Sequence, residues 1–88
     1  MGYEFVNVQR NCELSRKAFV RMLIGAIGAS EDFEIRNTID GYSGTRKKVW
    51  HFFDLGVKLV VYADTDKEIE DLMKEIKDEN EKKTVNKD

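Results

Sequence analysis

The chain has 88 residues, which is enough for one hydrophobic core and too few for two. Apolar residues make up 41% of the sequence, enough for a core without metal, and the single cysteine, Cys12, excludes an internal disulfide. Positions 1–62 hold nine Lys or Arg and seven Asp or Glu, whereas positions 63–88 hold six and ten. Neither part has the charge bias that by itself indicates nucleic-acid binding.

No segment predicts export or insertion into a membrane. The N-terminus lacks a basic region followed by an apolar run. The longest apolar run, Ala18 to Ala29, contains Arg21 and spans about 12 residues, against the ~20 that a bilayer requires. We therefore expect a soluble, cytoplasmic protein with no membrane partner.

The first half of the chain predicts a strand, a helix and a second strand. Aromatic and β-branched residues mixed with polar ones indicate a strand over Tyr3–Arg10, followed by a connection over residues 11–14. Ser15 is a suitable cap for a helix over residues 16–28, which is apolar nearly all round and should lie deep against a sheet. Strict alternation over Phe33–Ile39 predicts the next strand, with one face exposed.

The second half predicts a hairpin and a helix. Strands over Thr45–Phe53 and Val57–Tyr62 flank a turn that contains Gly56. A helix capped by Asp64 or Thr65 follows, with one narrow apolar stripe that ends at Ile76. The sequence thus predicts an α+β fold of order β-α-β-β-β-α: a mainly antiparallel four-stranded sheet with two helices on one face. The domain comprises residues 1–76, and residues 77–88 form a charged, disordered tail.

The hairpin is apolar on both faces, so one face is in excess of what a core requires. A three-residue loop over 54–56 pairs Phe53 with Val57 and directs the odd-numbered side chains towards the helices. These predicted core residues are Val49, Phe53, Val57, Leu59 and Val61. The opposite face would then carry an exposed patch for a partner, composed of Trp50, Phe52, Val60 and Tyr62. Two alternatives remain: other parts of the chain cover the patch, or a shorter loop shifts the register by one residue and turns Trp50 and Phe52 inward.

A basic segment at the start of the hairpin offers a second binding hypothesis. Arg46, Lys47 and Lys48 follow a loop with two glycines and precede Trp50, so they could contact phosphates while the indole stacks on a base. The same residues are also typical of a solvated strand that resists aggregation. The acidic final helix weighs against nucleic acid.

No pattern predicts catalysis, a metal or a cofactor. Cys12 and His51 lack a third group at a spacing typical of a nucleophilic site. Asp64-Thr65-Asp66 lacks the distal glutamate of a calcium loop and is better explained as a helix cap. The sequence favours a small non-enzymatic protein-binding module, regulatory or inhibitor-type, whose partner is another protein or a second copy. A nucleic-acid-binding domain is the alternative.

Overall fold

The structure is a computed structural model and describes residues 1–85. It confirms the α+β class with an antiparallel sheet and two helices. The elements in chain order are β1 (Gly2–Asn7), β2 (Asn11–Glu13), α1 (Arg16–Ala29), β3 (Phe33–Ile39), β4 (Arg46–Phe52), β5 (Val57–Ala63) and α2 (Asp66–Val85).

The sheet has five strands in the order β2-β1-β5-β4-β3, and every neighbouring pair is antiparallel. The predicted count of four was wrong because the first predicted strand stops at Asn7. The side-chain oxygen of Asn7 accepts the N–H groups of Gln9 and Arg10, and its own N–H donates to the carbonyl of Arg10. This local turn sends the chain back along β1, so the predicted connection forms β2, with Cys12 opposite Phe5.

Side-chain caps set where the helices begin. The Ser15 hydroxyl accepts the N–H of Ala18 at 3.1 Å, as expected from the sequence, and Thr65 accepts the N–H of Glu68 at 3.3 Å. Helix α2 extends to Val85 rather than ending at Ile76. No proline or glycine interrupts residues 77–85, and Lys and Glu are good helix formers even without an apolar stripe. The rest of the predicted tail, positions 86–88, lies outside the described residues.

Both helices pack on one face of the sheet, which we call the inner face; the opposite one is the outer face. Helix α1 contacts β1, α2 contacts β5, and the helices contact each other. The buried side chains between these layers are Tyr3, Phe19, Val20, Leu23, Trp50, Phe52, Leu59, Val61, Leu72 and Ile76.

The pairing of β4 with β5 differs by one residue from the predicted register. Phe52, not Phe53, lies opposite Val57, and Trp50 lies opposite Leu59. The prediction that Val57, Leu59 and Val61 face the helices was right. The prediction for β4 was wrong, because its even-numbered side chains face inward while Val49 and Phe53 do not.

The connecting loop explains the shift. Four residues, Phe53 to Gly56, separate the paired ends of the strands, and Gly56 supplies the expected positive φ of 65°. One additional loop residue reverses the faces of β4 relative to β5. The result buries the rings of Trp50 and Phe52, while Lys58 stays exposed on the outer face, opposite His51.

Substitution of the adjacent residues Phe52 and Phe53 tests this register. We expect Phe52→Ala to lower the free energy of unfolding by about 3–5 kcal/mol, because it removes a fully buried ring. Phe53→Ala, the matched control at a 47% exposed position, should cost less than about 1 kcal/mol. Urea unfolding of both variants measures the difference, and a larger loss for Phe53→Ala would contradict the register.

Candidate interaction surface at the sheet edge

The predicted aromatic patch is divided between the two faces of the sheet. Trp50 and Phe52 lie in the core beneath the helices, where the indole meets the Phe19 ring edge-on at 5.8 Å. Val60 and Tyr62 lie on the outer face, as predicted, but Val60 is buried between its neighbours. The four residues therefore do not form one exposed surface, because the register of β4 turns two of them inward.

The three basic residues of β4 are divided in the same way. The Arg46 guanidinium binds Asp66 and the carbonyls of Gly44 and Asp64, so it joins the β3–β4 loop to the start of α2. Lys48 also lies on the inner side; partial burial lowers the pKa of its ammonium group. Only Lys47 points to the outer face, so the basic segment does not act as a single patch.

Cys12 and His51 also lie on opposite faces, since Cys12 pairs with Phe5 and His51 with Lys58. Among residues 1–85, no cluster of three or more His, Cys, Asp or Glu side chains is placed to hold a metal ion. Across the same residues, neither helix has the length and hydropathy of a bilayer span.

The most exposed apolar row of the sheet lies on β3, its last strand. We call Phe33, Ile35 and Ile39 the β3 row; their exposed fractions are 37%, 44% and 64%. They lie on the inner face, beyond the area where the helices make their main contacts with β1 and β5. Phe33 rests against buried Phe52 with ring centroids 5.3 Å apart, so the row continues the core to the sheet edge.

Along the same edge, the backbone of β3 presents hydrogen-bonding groups that pair with no other strand within residues 1–85. The N–H of Phe53 donates to the carbonyl of Asp32, and the N–H of Asp40 donates to the carbonyl of Thr45. Because hydrogen-bonded pairs alternate along an antiparallel ladder, the even-numbered residues of β3 bond to β4. The N–H and C=O groups of residues 33, 35, 37 and 39 therefore point away from the sheet.

The two edges of the sheet differ in how well they are protected against pairing. Strand β2 has three residues and offers few backbone groups. Strand β3 has seven, pairs along its whole length with β4, and carries no lysine, proline or bulge. Natural sheets often protect a long edge by such devices or by other charged side chains, which on β3 are Glu34 and Arg36. Within residues 1–85, no further strand pairs with the outer edge of β3.

The outer side of β3 carries one carboxylate and one guanidinium. The Arg36 Nε donates to a Glu34 carboxylate oxygen at 2.7 Å, and both side chains are substantially exposed. Beside them, a shallow outer hollow is lined by Glu34, Arg36, Thr38, Lys47, Val49, His51, Phe53 and Lys58.

Asp54 attaches the start of β3 to the β4–β5 loop. One of its carboxylate oxygens accepts the Ser30 hydroxyl at 2.6 Å and the other accepts the N–H of Glu31 at 2.8 Å. These bonds stabilise the ionised form, so they hold the pKa of the Asp54 carboxyl below its ordinary value; the bond from Ser30 contributes most.

The sequence pattern predicted the strand over residues 33–39 but not its position at the edge of the sheet. Its alternation of apolar and polar residues predicts two faces and gives no information about which neighbour covers the apolar one. The missing signal was position: β3 is an edge only because β4 and β5 pair with each other and β1 occupies the far side of β5.

No protein-family model, curated protein or solved structure matches this chain. We therefore infer its function from the geometry of its surfaces.

The Asp54 contacts predict a pH dependence of stability. A depressed carboxyl pKa in the folded state stabilises the protein above the ordinary pKa of about 4, and this contribution is lost as the pH falls below it. Asp54→Asn should therefore make the fall in melting temperature below about pH 4 shallower than in wild type. Ser30→Ala, which removes the largest cause, should act in the same direction. Identical slopes in all three proteins would contradict this assignment.

Proposed function

We propose that the protein is a non-enzymatic protein-binding module that accepts an extended segment of its partner at the β3 edge. The observation that carries this proposal is the coincidence of outward-pointing backbone groups and exposed apolar side chains on one edge strand. In strand addition, the backbone groups supply affinity and alternate side chains supply specificity.

Both contributions are available on β3. An added strand would bond to residues 33, 35, 37 and 39, and its inward-facing side chains would lie beside the β3 row. Burial of apolar surface stabilises the complex by roughly 25 cal/mol per Å² before the costs of association are subtracted. A partner segment with alternating apolar residues is therefore favoured.

The sequence favours the same class of function, protein binding, but it predicted a different surface for it. The aromatic patch no longer supports it, since Trp50 and Phe52 are 1% and 0% exposed. A protein partner needs an accessible apolar surface, and the β3 row provides one.

Selection of short random peptides on sparsely immobilised protein tests the proposal. We expect enrichment of segments with alternating apolar residues, and at least a tenfold loss of their affinity in Ile35→Lys, because the ammonium group would disrupt the β3 row. Val8→Lys is the matched control, since Val8 is an exposed aliphatic residue in the β1–β2 turn.

The two variants separate the outcomes. Peptides that lose affinity only with Ile35→Lys would support strand addition at β3. Failure to enrich any peptide, or equal binding to the wild type and to Ile35→Lys, would rule out the edge as the binding surface.

Nucleic-acid binding is a second candidate, favoured by the outer hollow rather than by the three consecutive basic residues. Arg36, Lys47 and Lys58 surround it, and only Glu34 contributes a carboxylate. The His51 and Phe53 rings lie beside the cations with centroids 4.1 Å apart. Cations bind phosphates, and aromatic faces stack on unpaired bases.

Binding of a single-stranded oligonucleotide measures this candidate. The combined Lys47→Ala and Lys58→Ala variant should weaken binding several-fold, and should reduce its dependence on salt between about 50 and 200 mM, because fewer phosphate contacts release fewer counterions. Lys67→Ala with Lys77→Ala on α2 removes the same charge elsewhere. Equal losses in the two double variants would contradict a site on the sheet.

A further inference from the structure

We propose that the β3 edge binds the β3 edge of a second copy of this chain, with a two-fold axis through Ile35 perpendicular to the sheet. This inference rests on the proposed function and names its partner. The two five-stranded sheets would then form one continuous ten-stranded sheet, with the helices of both copies on the same side.

The backbone determines which residues can meet across this edge. Two identical strands that pair antiparallel are related by an axis perpendicular to the sheet, which places inner face beside inner face. The odd-numbered residues of β3 have the outward-pointing groups, so they would form the hydrogen-bonded pairs. Even-numbered residues would face one another in the closer, non-hydrogen-bonded pairs.

The charges on β3 determine which residue of the strand can lie at the two-fold axis. With the axis at Ile35, Glu34 of each copy lies opposite Arg36 of the other, which places opposite charges together twice. An axis at Glu34 or at Arg36 sets that residue against its own copy, and an axis at Asn37 sets Glu34 against Asp40. Like charges directly opposite each other are destabilising, so among the axes at residues 34 to 37 only the Ile35 axis is self-complementary. An axis at Thr38 would also set Arg36 against Asp40, but it overlaps only residues 37–39 of the two strands.

The side chains on both faces are accessible for this arrangement. On the outer face, Glu34 and Arg36 bond to each other, and at 40% and 75% exposure they are accessible to a new partner. On the inner face, Ile35 would pack against Ile35 of the second copy, while Phe33 would lie opposite Asn37. The dimer would thus cover part of the β3 row.

Charge exchange tests both the partner and the register. Sedimentation equilibrium should show a concentration-dependent dimer for the wild type. Glu34→Arg and Arg36→Glu should each weaken it about tenfold or more, because each variant sets like charges opposite each other twice. Combining both substitutions in one chain, or mixing the two single variants in equal amounts, should restore dimerisation.

Matched controls account for charge alone and for folding. Glu13→Arg on β2, the opposite edge, and Lys17→Glu at an exposed position of α1 make the same charge changes away from β3 and should leave dimerisation unchanged. Thermal unfolding of each variant checks that the monomer is intact. The equal mixture keeps the test valid even if one single variant is less stable, since restored dimers require both chains to be folded.

The outcomes separate this inference from the proposed function. A wild type that stays monomeric to millimolar concentration overturns self-pairing, while peptides that depend on Ile35 would still support strand addition. A dimer indifferent to both single variants lies on another surface and overturns the inference. Weakening without restoration in the mixture overturns the Ile35 axis.

Discussion

The pairing of Phe52 with Val57 is the contact on which the rest of the structure depends. It places Trp50 and Phe52 beneath the helices and leaves Lys58 and His51 on the outer face. The same register directs Ile35, the neighbour of Trp50 on β3, to the inner face. Part of the apolar surplus of this chain therefore extends sideways from the core to the edge, while Val49, Val60 and Tyr62 lie on the outer face.

This arrangement leaves a short edge strand at one end of the sheet and a long one at the other. At one end, β2 is short, and the chain turns back at Asn7 before a long edge can form. At the other end, β3 extends past the main helix contacts with seven paired residues and the exposed β3 row. The exposed β3 row and the outward-pointing backbone groups of β3 thus both favour an extended strand as partner. The cations of the outer hollow instead favour a phosphate.

Local signals predicted much of this fold, and non-local pairing explains the errors. The Ser15 cap and the strand over Phe33–Ile39 depend on neighbouring residues, and both were confirmed. The prediction that only one face of this strand is exposed was wrong, because Phe33, Ile35 and Ile39 are exposed too. The faces of β4 depended on whether Phe53 belongs to the strand or to the loop, and either register would have buried apolar side chains. The β3 edge could not be predicted from the strand itself, because an edge is defined by strands elsewhere in the chain.

Amide hydrogen exchange along β3 tests the central claim, that this edge is open and pairs with a second copy. In dilute protein, the account predicts protected amides at Arg36 and Thr38, which bond to β4, and rapid exchange at Ile35 and Asn37. Raising the protein concentration should slow exchange at the odd positions and leave the even ones unchanged. Protection at Ile35 and Asn37 that is already complete in the monomer would contradict the account, as would rapid exchange at every concentration.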